Sequence, residues 1–262
     1  MARLARPRLA VQLYTLRDTG DDVPTMLRRV AAMGYLGVEA PAAQLCGVDP
    51  GALAAVLDET GMVVSSAHVV LDPTGRLDGS QLDSLQAAGV DTAIVAFGPP
   101  ERFADAGAIA ALADDLNRTA DMTRARDIAL GYHNHFWELQ SRVEDRPALL
   151  YLYDRLQPDV LAEVDIYWAQ VGGADPAEVV SALGDRVRFL HVKDGPATTP
   201  SEPMVAVGSG AVDVPTAMGA ADAVAWHLVE LDHCVTDMYE AVADSRRYLA
   251  ALGMTSMRDP VE

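Results

Sequence analysis

Val187-Arg188-Phe189-Leu190-His191-Val192-Lys193-Asp194-Gly195 is the stretch from which the fold of this chain can be read. Its apolar start has the length of a buried strand, and Gly195-Pro196 is a turn signal that ends it. A strand closing on His, Lys and Asp presents an imidazole, a cation and a carboxylate at one rim. Other short apolar runs end the same way. His133 follows Ile128-Ala129-Leu130-Gly131-Tyr132, Asp165 follows Leu161-Ala162-Glu163-Val164, and Glu230 follows Trp226-His227-Leu228-Val229. Four strands each delivering one metal-capable group make a site hypothesis, with His133, Asp165, His191 and Glu230 as its ligands.

On both sides of this stretch, short β-branched runs alternate with longer helical ones, the pattern of repeated βα units around a parallel sheet. The expected strands are Leu9–Tyr14, Gly37–Ala40, Val63–His68, Thr92–Phe97, Ile128–His133, Leu161–Asp165, Val187–Val192 and Trp226–Leu231. Eight such strands close a (β/α)8 barrel. Asp22, Asp49, Asp175 and Asp213 each stand one or two residues before a proline, which suits a helix N-cap and first turn. Asp105 to Arg126 is the longest helical stretch, and the last helix runs from about Asp237 to Leu252. No Pro/Ser linker divides the chain, so residues 1–262 are expected to form a single α/β domain. An open doubly wound sheet is disfavoured, because no Gly-x-Gly-x-x-Gly follows the first strand.

The charge balance, 20 Lys and Arg against 38 Asp and Glu, gives −18 and argues against a surface that binds nucleic-acid phosphates. No apolar run reaches the ~20 residues that span a bilayer. The basic start, Met1 to Arg8, does not lead into a signal-peptide core, and two cysteines, Cys46 and Cys234, fit a reducing cytoplasm.

At the C-terminal ends of barrel strands, where active sites of this architecture lie, the reading collects Gln12, Tyr14, Glu39, His68, Phe97, His133, His135, Asp165, His191, Lys193, Glu230 and Asp232. Mixed imidazole and carboxylate ligands suit one divalent ion of Mn, Zn, Fe or Co, or Mg with more waters. Lys193 and Asp194 can also be read as a rim ion pair. Ser65-Ser66 has no nucleophile-elbow context, and Gly208-Ser209-Gly210 is read as a plain flexible loop rather than a phosphate cradle.

The chain resembles the sugar phosphate isomerase/epimerase superfamily with its xylose isomerase-like TIM barrel. The resemblance spans nearly the whole chain. It rests on Val11-Gln12-Leu13-Tyr14-Thr15-Leu16-Arg17-Asp18, Gly34-Tyr35-Leu36-Gly37-Val38-Glu39 and Tyr132-His133-Asn134-His135. It continues through Asp165-Ile166-Tyr167-Trp168 with Gly172-Gly173-Ala174-Asp175-Pro176, then His191-Val192-Lys193-Asp194 and Glu230-Leu231-Asp232. It implies one divalent metal held by Glu, Asp, His and Glu from strands five to eight. Asp165, His191 and Glu230 match. Strand five departs, so His133, His135 or Glu138 is expected to supply the remaining ligand. The Glu of a Gly-Glu-Gly common in the strand-seven loop is replaced by Ser209.

The resemblance further implies isomerisation or epimerisation of a sugar or keto-sugar through an enediolate. Glu230 would link metal and proton transfer, Lys193 would polarise a substrate oxygen, and His133 and Glu138 would complete the catalytic set. Tyr14, Glu39, His68, His135, Trp168 and Asp232 would contact substrate. The alternative outcome is a lyase or dehydratase acting on a keto-sugar, keto-glycoside or keto-cyclitol. An abasic-DNA endonuclease shares the barrel type, but −18 and a shortage of further ligands speak against it. The expected partner is a small-molecule sugar, with neither nucleic acid nor membrane; homo-oligomerisation is left open.

Overall fold

The computed structural model describes residues 6–260; residues 1–5 of the basic start lie outside it. Eight parallel strands form a closed barrel: β1 (Arg8–Gln12), β2 (Gly37–Pro41), β3 (Val63–Val69), β4 (Thr92–Val95), β5 (Ala129–His133), β6 (Leu161–Asp165), β7 (Val187–Val192) and β8 (Trp226–Val229). Each strand pairs with its neighbours in sequence, and β1 closes on β8 with Arg8 opposite Trp226. Helices cover the outside, as parallel sheets require.

All eight expected strands are present, and the boundaries shift where the rim begins. The first was expected to run to Tyr14, but β1 stops at Gln12. There the Gln12 side chain accepts the Tyr14 N–H at 3.2 Å and turns the chain into a 3-10 helix, Leu13–Leu16. The fourth and eighth strands likewise end early, at Val95 and Val229. A short antiparallel pairing of Arg142–Val143 with Arg146–Pro147 was not foreseen.

The aspartate-then-proline sites all cap helices. Asp22, Asp49, Asp175 and Asp213 accept backbone N–H bonds at 2.8–3.2 Å and open Val23–Ala32, Pro50–Thr60, Pro176–Leu183 and Val214–Met218. Each such cap contributes about 1 kcal/mol to its helix. The longest helix is Ala106–Arg124 and the last is Met238–Leu252. No described helix is long and apolar enough to cross a membrane.

Strand residues two apart face the same side, and that rule layers the barrel interior. The bottom is plugged by buried Ala10, Ile94, Phe189, Trp226 and Leu228. Trp226 lies so close over Gly37 that an added Cβ there would sit 2.8 Å from the indole, so a side chain at 37 would displace the plug. Above the plug the interior changes abruptly from apolar to ionisable.

His227, next to the plug residue Trp226, is buried, with Nδ1 2.7 Å from Thr255 Oγ1, and burial holds its pKa down to about 4. The folded state therefore refuses a proton that the unfolded chain takes up near 6.5. Stability from this residue is full above about pH 6.5 and is lost as pH falls toward 4, on the order of 3 kcal/mol in all. His227→Gln should flatten the stability-pH curve in that window. Urea titrations at pH 7 and 4.5 that show the same loss in both proteins would refute this.

Candidate active and metal site

Above the plug, β2, β3, β5, β6, β7 and β8 deliver two tiers of polar side chains into the barrel. The lower tier is Glu39, His68 and Glu163. The upper tier is Asp165, Lys193, Glu230 and Asp232. His133 and His191 stand between them and offer one ring nitrogen to each tier.

In the lower tier, Glu163 Oε2 lies 2.6 Å from His68 Nε2, 3.0 Å from His133 Nδ1 and 3.2 Å from His191 Nε2. The contact to His133 is off the N–H axis and does not make a hydrogen bond. Glu39 pairs with His191 Nε2 at 2.7 Å and His68 Nε2 at 3.0 Å, and accepts from Ser66 Oγ at 3.1 Å. In the upper tier, Lys193 Nζ lies 3.0 Å from Asp165, 2.8 Å from Glu230 and 2.8 Å from Asp232. His191 Nδ1 meets Glu230 Oε2 at 2.6 Å.

Burial opposes every one of these charges, so their mutual attraction decides which survive. Burial lowers the affinity of Lys193 for its proton, but Asp165, Asp232 and Glu230 outweigh it and hold the ammonium charged. Burial works the same way on His68 and His191. Their carboxylates prevail, raising His68 to about 10 and His191 well above its usual value. His133 goes the other way: burial and the His191 cation keep it neutral, with the lone pair of one ring nitrogen available. Burial pushes Asp165 up to about 6 despite Lys193, whereas Lys193 and His191 overcome burial to keep Glu230 ionised.

The donor set fits a divalent metal. Ligand atoms of His133, Asp165, His191 and Glu230 lie within 4.8 Å of one another. Asp165 Oδ2 is buried and accepts no hydrogen bond, facing the Lys193 ammonium at 3.0 Å, and His133 is a neutral imidazole. Lys193 answers the same carboxylates that a cation would. A second group, His68, His133, Glu163 and His191, shares two of these residues. The shortage of further ligands expected from the sequence is therefore corrected. Glu163, flanked by apolar residues in the sequence, faces inward because it stands two residues before Asp165 on β6. That spacing was the signal that could have found it.

The other expected site residues fall into two groups. Tyr14, His68, His133, His135, Lys193, Glu230 and Asp232 line a cavity of about 330 Å³ at the C-terminal mouth of the barrel. Glu39, Glu138 and Trp168 are buried beneath or beside it. Glu39 touches imidazoles rather than the cavity. Glu138 accepts from Tyr132 Oη at 2.8 Å and from the His135 N–H at 3.0 Å, and burial raises its pKa to about 8. It stands behind His135 and outside both donor groups. Trp168 lies under Lys193, with the ammonium 5.4 Å from its ring. His135 stacks on Trp137 at 4.5 Å, and burial, helped by Lys193, lowers it to about 3.

Asp194 does not pair with Lys193. Its carboxylate accepts backbone N–H bonds from Gly195, Gly208, Gly210 and Val212 at 2.8–3.2 Å. The Gly208-Ser209-Gly210 segment is thus pinned rather than free. A Cβ at Gly210 would come 2.2 Å from the carboxylate, so the close approach requires glycine.

The family model described as xylose isomerase-like TIM barrel matches residues 27–252. Inosose dehydratase of Geobacillus kaustophilus is 26% identical over 205 residues. That alignment covers 66% of this chain and 65% of the relative, just under two thirds of its length. Among solved structures, a sugar phosphate isomerase/epimerase from Parabacteroides distasonis superposes with a TM-score of 0.80 at 21% identity, covering 98% of both chains. The probable 3-DHS dehydratase of Bacillus anthracis superposes at 0.77 with 12% identity, covering 93% of this chain and 98% of its own. At such identities the structural likeness is one of fold.

Proposed function

Because the chain belongs to the xylose isomerase-like TIM barrel family, we propose that it is a divalent-metal-dependent isomerase or epimerase of a sugar or keto-sugar. One observation carries this reading: His133, Asp165, His191 and Glu230 converge beside the Lys193 ammonium, and His133, Glu230 and Lys193 line a cavity open to small molecules while Asp165 and His191 lie buried behind them. A divalent ion held by those four residues would supply the Lewis acidity that makes the C–H beside a carbonyl removable.

The chain's own residues do the rest. Lys193 Nζ, charged and bordering the cavity, donates a hydrogen bond to a substrate oxygen and stabilises negative charge developing there. Glu230, ionised and also in the cavity wall, accepts the proton. It is a weak base while Lys193 and His191 hold it, and it strengthens when the ammonium turns to the substrate. His68, charged and braced by Glu39 and Glu163, orients a hydroxyl, and Asp232 anchors another beside Lys193.

A second reading, dehydration of a keto-sugar or keto-cyclitol, is favoured by the likeness to an inosose dehydratase. The two readings part after the proton is removed. An isomerase returns it to carbon, and a dehydratase expels a β-oxygen substituent. Metal-loaded protein incubated with ketoses, keto-glycosides and keto-cyclitols in D2O should place deuterium on carbon with no elimination. A deoxy or α,β-unsaturated product would establish the second reading instead. Neither exchange nor elimination across that panel would sink both.

A further inference from the structure

The cavity has two unlike halves. Its floor is the charged cage of Lys193, Glu230, Asp232 and the imidazoles, while its rim is apolar: Tyr14, Pro41, Val70, Ala96 and Phe97. Among the described residues, five large hydrophobic side chains are exposed, and three of them, Tyr14 at 41%, Val70 at 49% and Phe97 at 39%, stand on this rim. Scattered apolar exposure is ordinary, but a cluster around the opening of a polar site marks a binding surface.

The rim is also held in place. Arg17 stacks over the Tyr14 ring at 4.0 Å, and its guanidinium donates to Tyr14 O at 2.8 Å and Asp232 O at 2.5 Å, tying rim to floor. Phe97 meets His135 edge-on at 6.2 Å, and His135 is in turn stacked on Trp137. These rings are braced open rather than folded onto the core.

A bare polyol satisfies the floor but offers only the small C–H face of its ring to the two braced rings, Tyr14 and Phe97, and to Val70 at the rim. At about 330 Å³ the cavity is within the size range of sites for drug-sized ligands. Building on the sugar-converting reading above, we propose that the substrate is a keto-sugar bearing a planar apolar substituent. The sugar ring lies against Lys193, Glu230 and Asp232, and an aryl or conjugated aglycone lies between Tyr14, Val70 and Phe97. Ring-on-ring contact with Tyr14 and Phe97 adds to the area removed from water.

The test is equilibrium binding to the full chain, without added metal, of a matched pair: phenyl and methyl 3-keto-β-D-glucoside, measured by calorimetry. The phenyl compound should bind at least about tenfold more tightly, and Phe97→Ala with Val70→Ala should bring that ratio close to one. Equal affinity in the native protein, or a ratio unmoved by the two substitutions, overturns the inference and leaves the sugar reading standing. Failure of both compounds to bind also overturns the inference, while the deuterium-exchange panel above decides the sugar reading separately. The rim would instead belong to a second copy of the chain if light scattering found a dimer that Phe97→Asp converts to monomer, and that result also overturns the inference.

Discussion

Asp165→Asn combined with His191→Ala is expected to strip the protein of divalent metal and to lower turnover by at least about a thousandfold. The figure corresponds to ~4 kcal/mol of transition-state stabilisation from the Lewis acid. Asp165 Oδ2 is a buried oxygen that faces the Lys193 ammonium, and His191 presents Nδ1 toward Glu230. Together they remove one carboxylate and one imidazole from a four-residue set. Because His191→Ala leaves Glu39 and Glu230 without their shared imidazole, Asp165→Asn alone serves as the conservative member. Its side chain can still accept the Trp168 N–H, as Asp165 Oδ1 does at 2.8 Å, so the following helix keeps its cap. Elemental analysis of both proteins beside the native one checks the claim. Native metal content and turnover in the double variant would end the metal-site proposal.

Glu163→Ala should be the most destabilising single change in the barrel interior. Glu163 Oε2 is the common neighbour of His68, His133 and His191, and the first and last of these are held charged. Without it, His68 keeps only Glu39, which it shares with His191, while His191 also keeps Glu230. Breaking a buried charge cluster by removing one partner costs about 3–5 kcal/mol, or a fall in Tm of about 6–20 °C in a protein of this size. Glu163→Gln keeps shape and one acceptor, so it should melt closer to the native protein. It should still bind metal about 10–100-fold more weakly, because the two imidazoles lose the carboxylate that orients them. Calorimetry and metal titration separate the two effects. A Glu163→Ala protein melting within about 2 °C of native would show that the lower tier carries no such load.

Local features were legible. Runs of four to seven apolar residues bounded by turns revealed all eight strands, and the Asp-Pro starts revealed helix caps, because both depend on neighbours a few residues away. Strand ends were legible as a class as well, since a closed barrel sends them to one face. Tyr14, His68, Lys193 and Glu230 all reach the cavity. Strand lengths at the rim were overread because a single side chain, such as Gln12 bending the chain at Tyr14, decides where pairing stops.

The partnerships were another matter. Glu163 sits among apolar residues, and its function arises only when β3, β5 and β7 bring three imidazoles to one oxygen. Lys193 and Asp194 are adjacent in sequence just past the end of β7, yet their side chains serve opposite duties. One enters the charged cage and the other gathers the backbone of the next loop. Glu138 and Trp168 lie near the site in sequence, yet they are buried behind its wall. Sequence alone determined a (β/α)8 barrel and the rim where its chemistry lies, since periodicity and capping are short-range. Only the tertiary structure decided which charges meet, because burial in a closed barrel keeps a charge only where another strand supplies its counterpart.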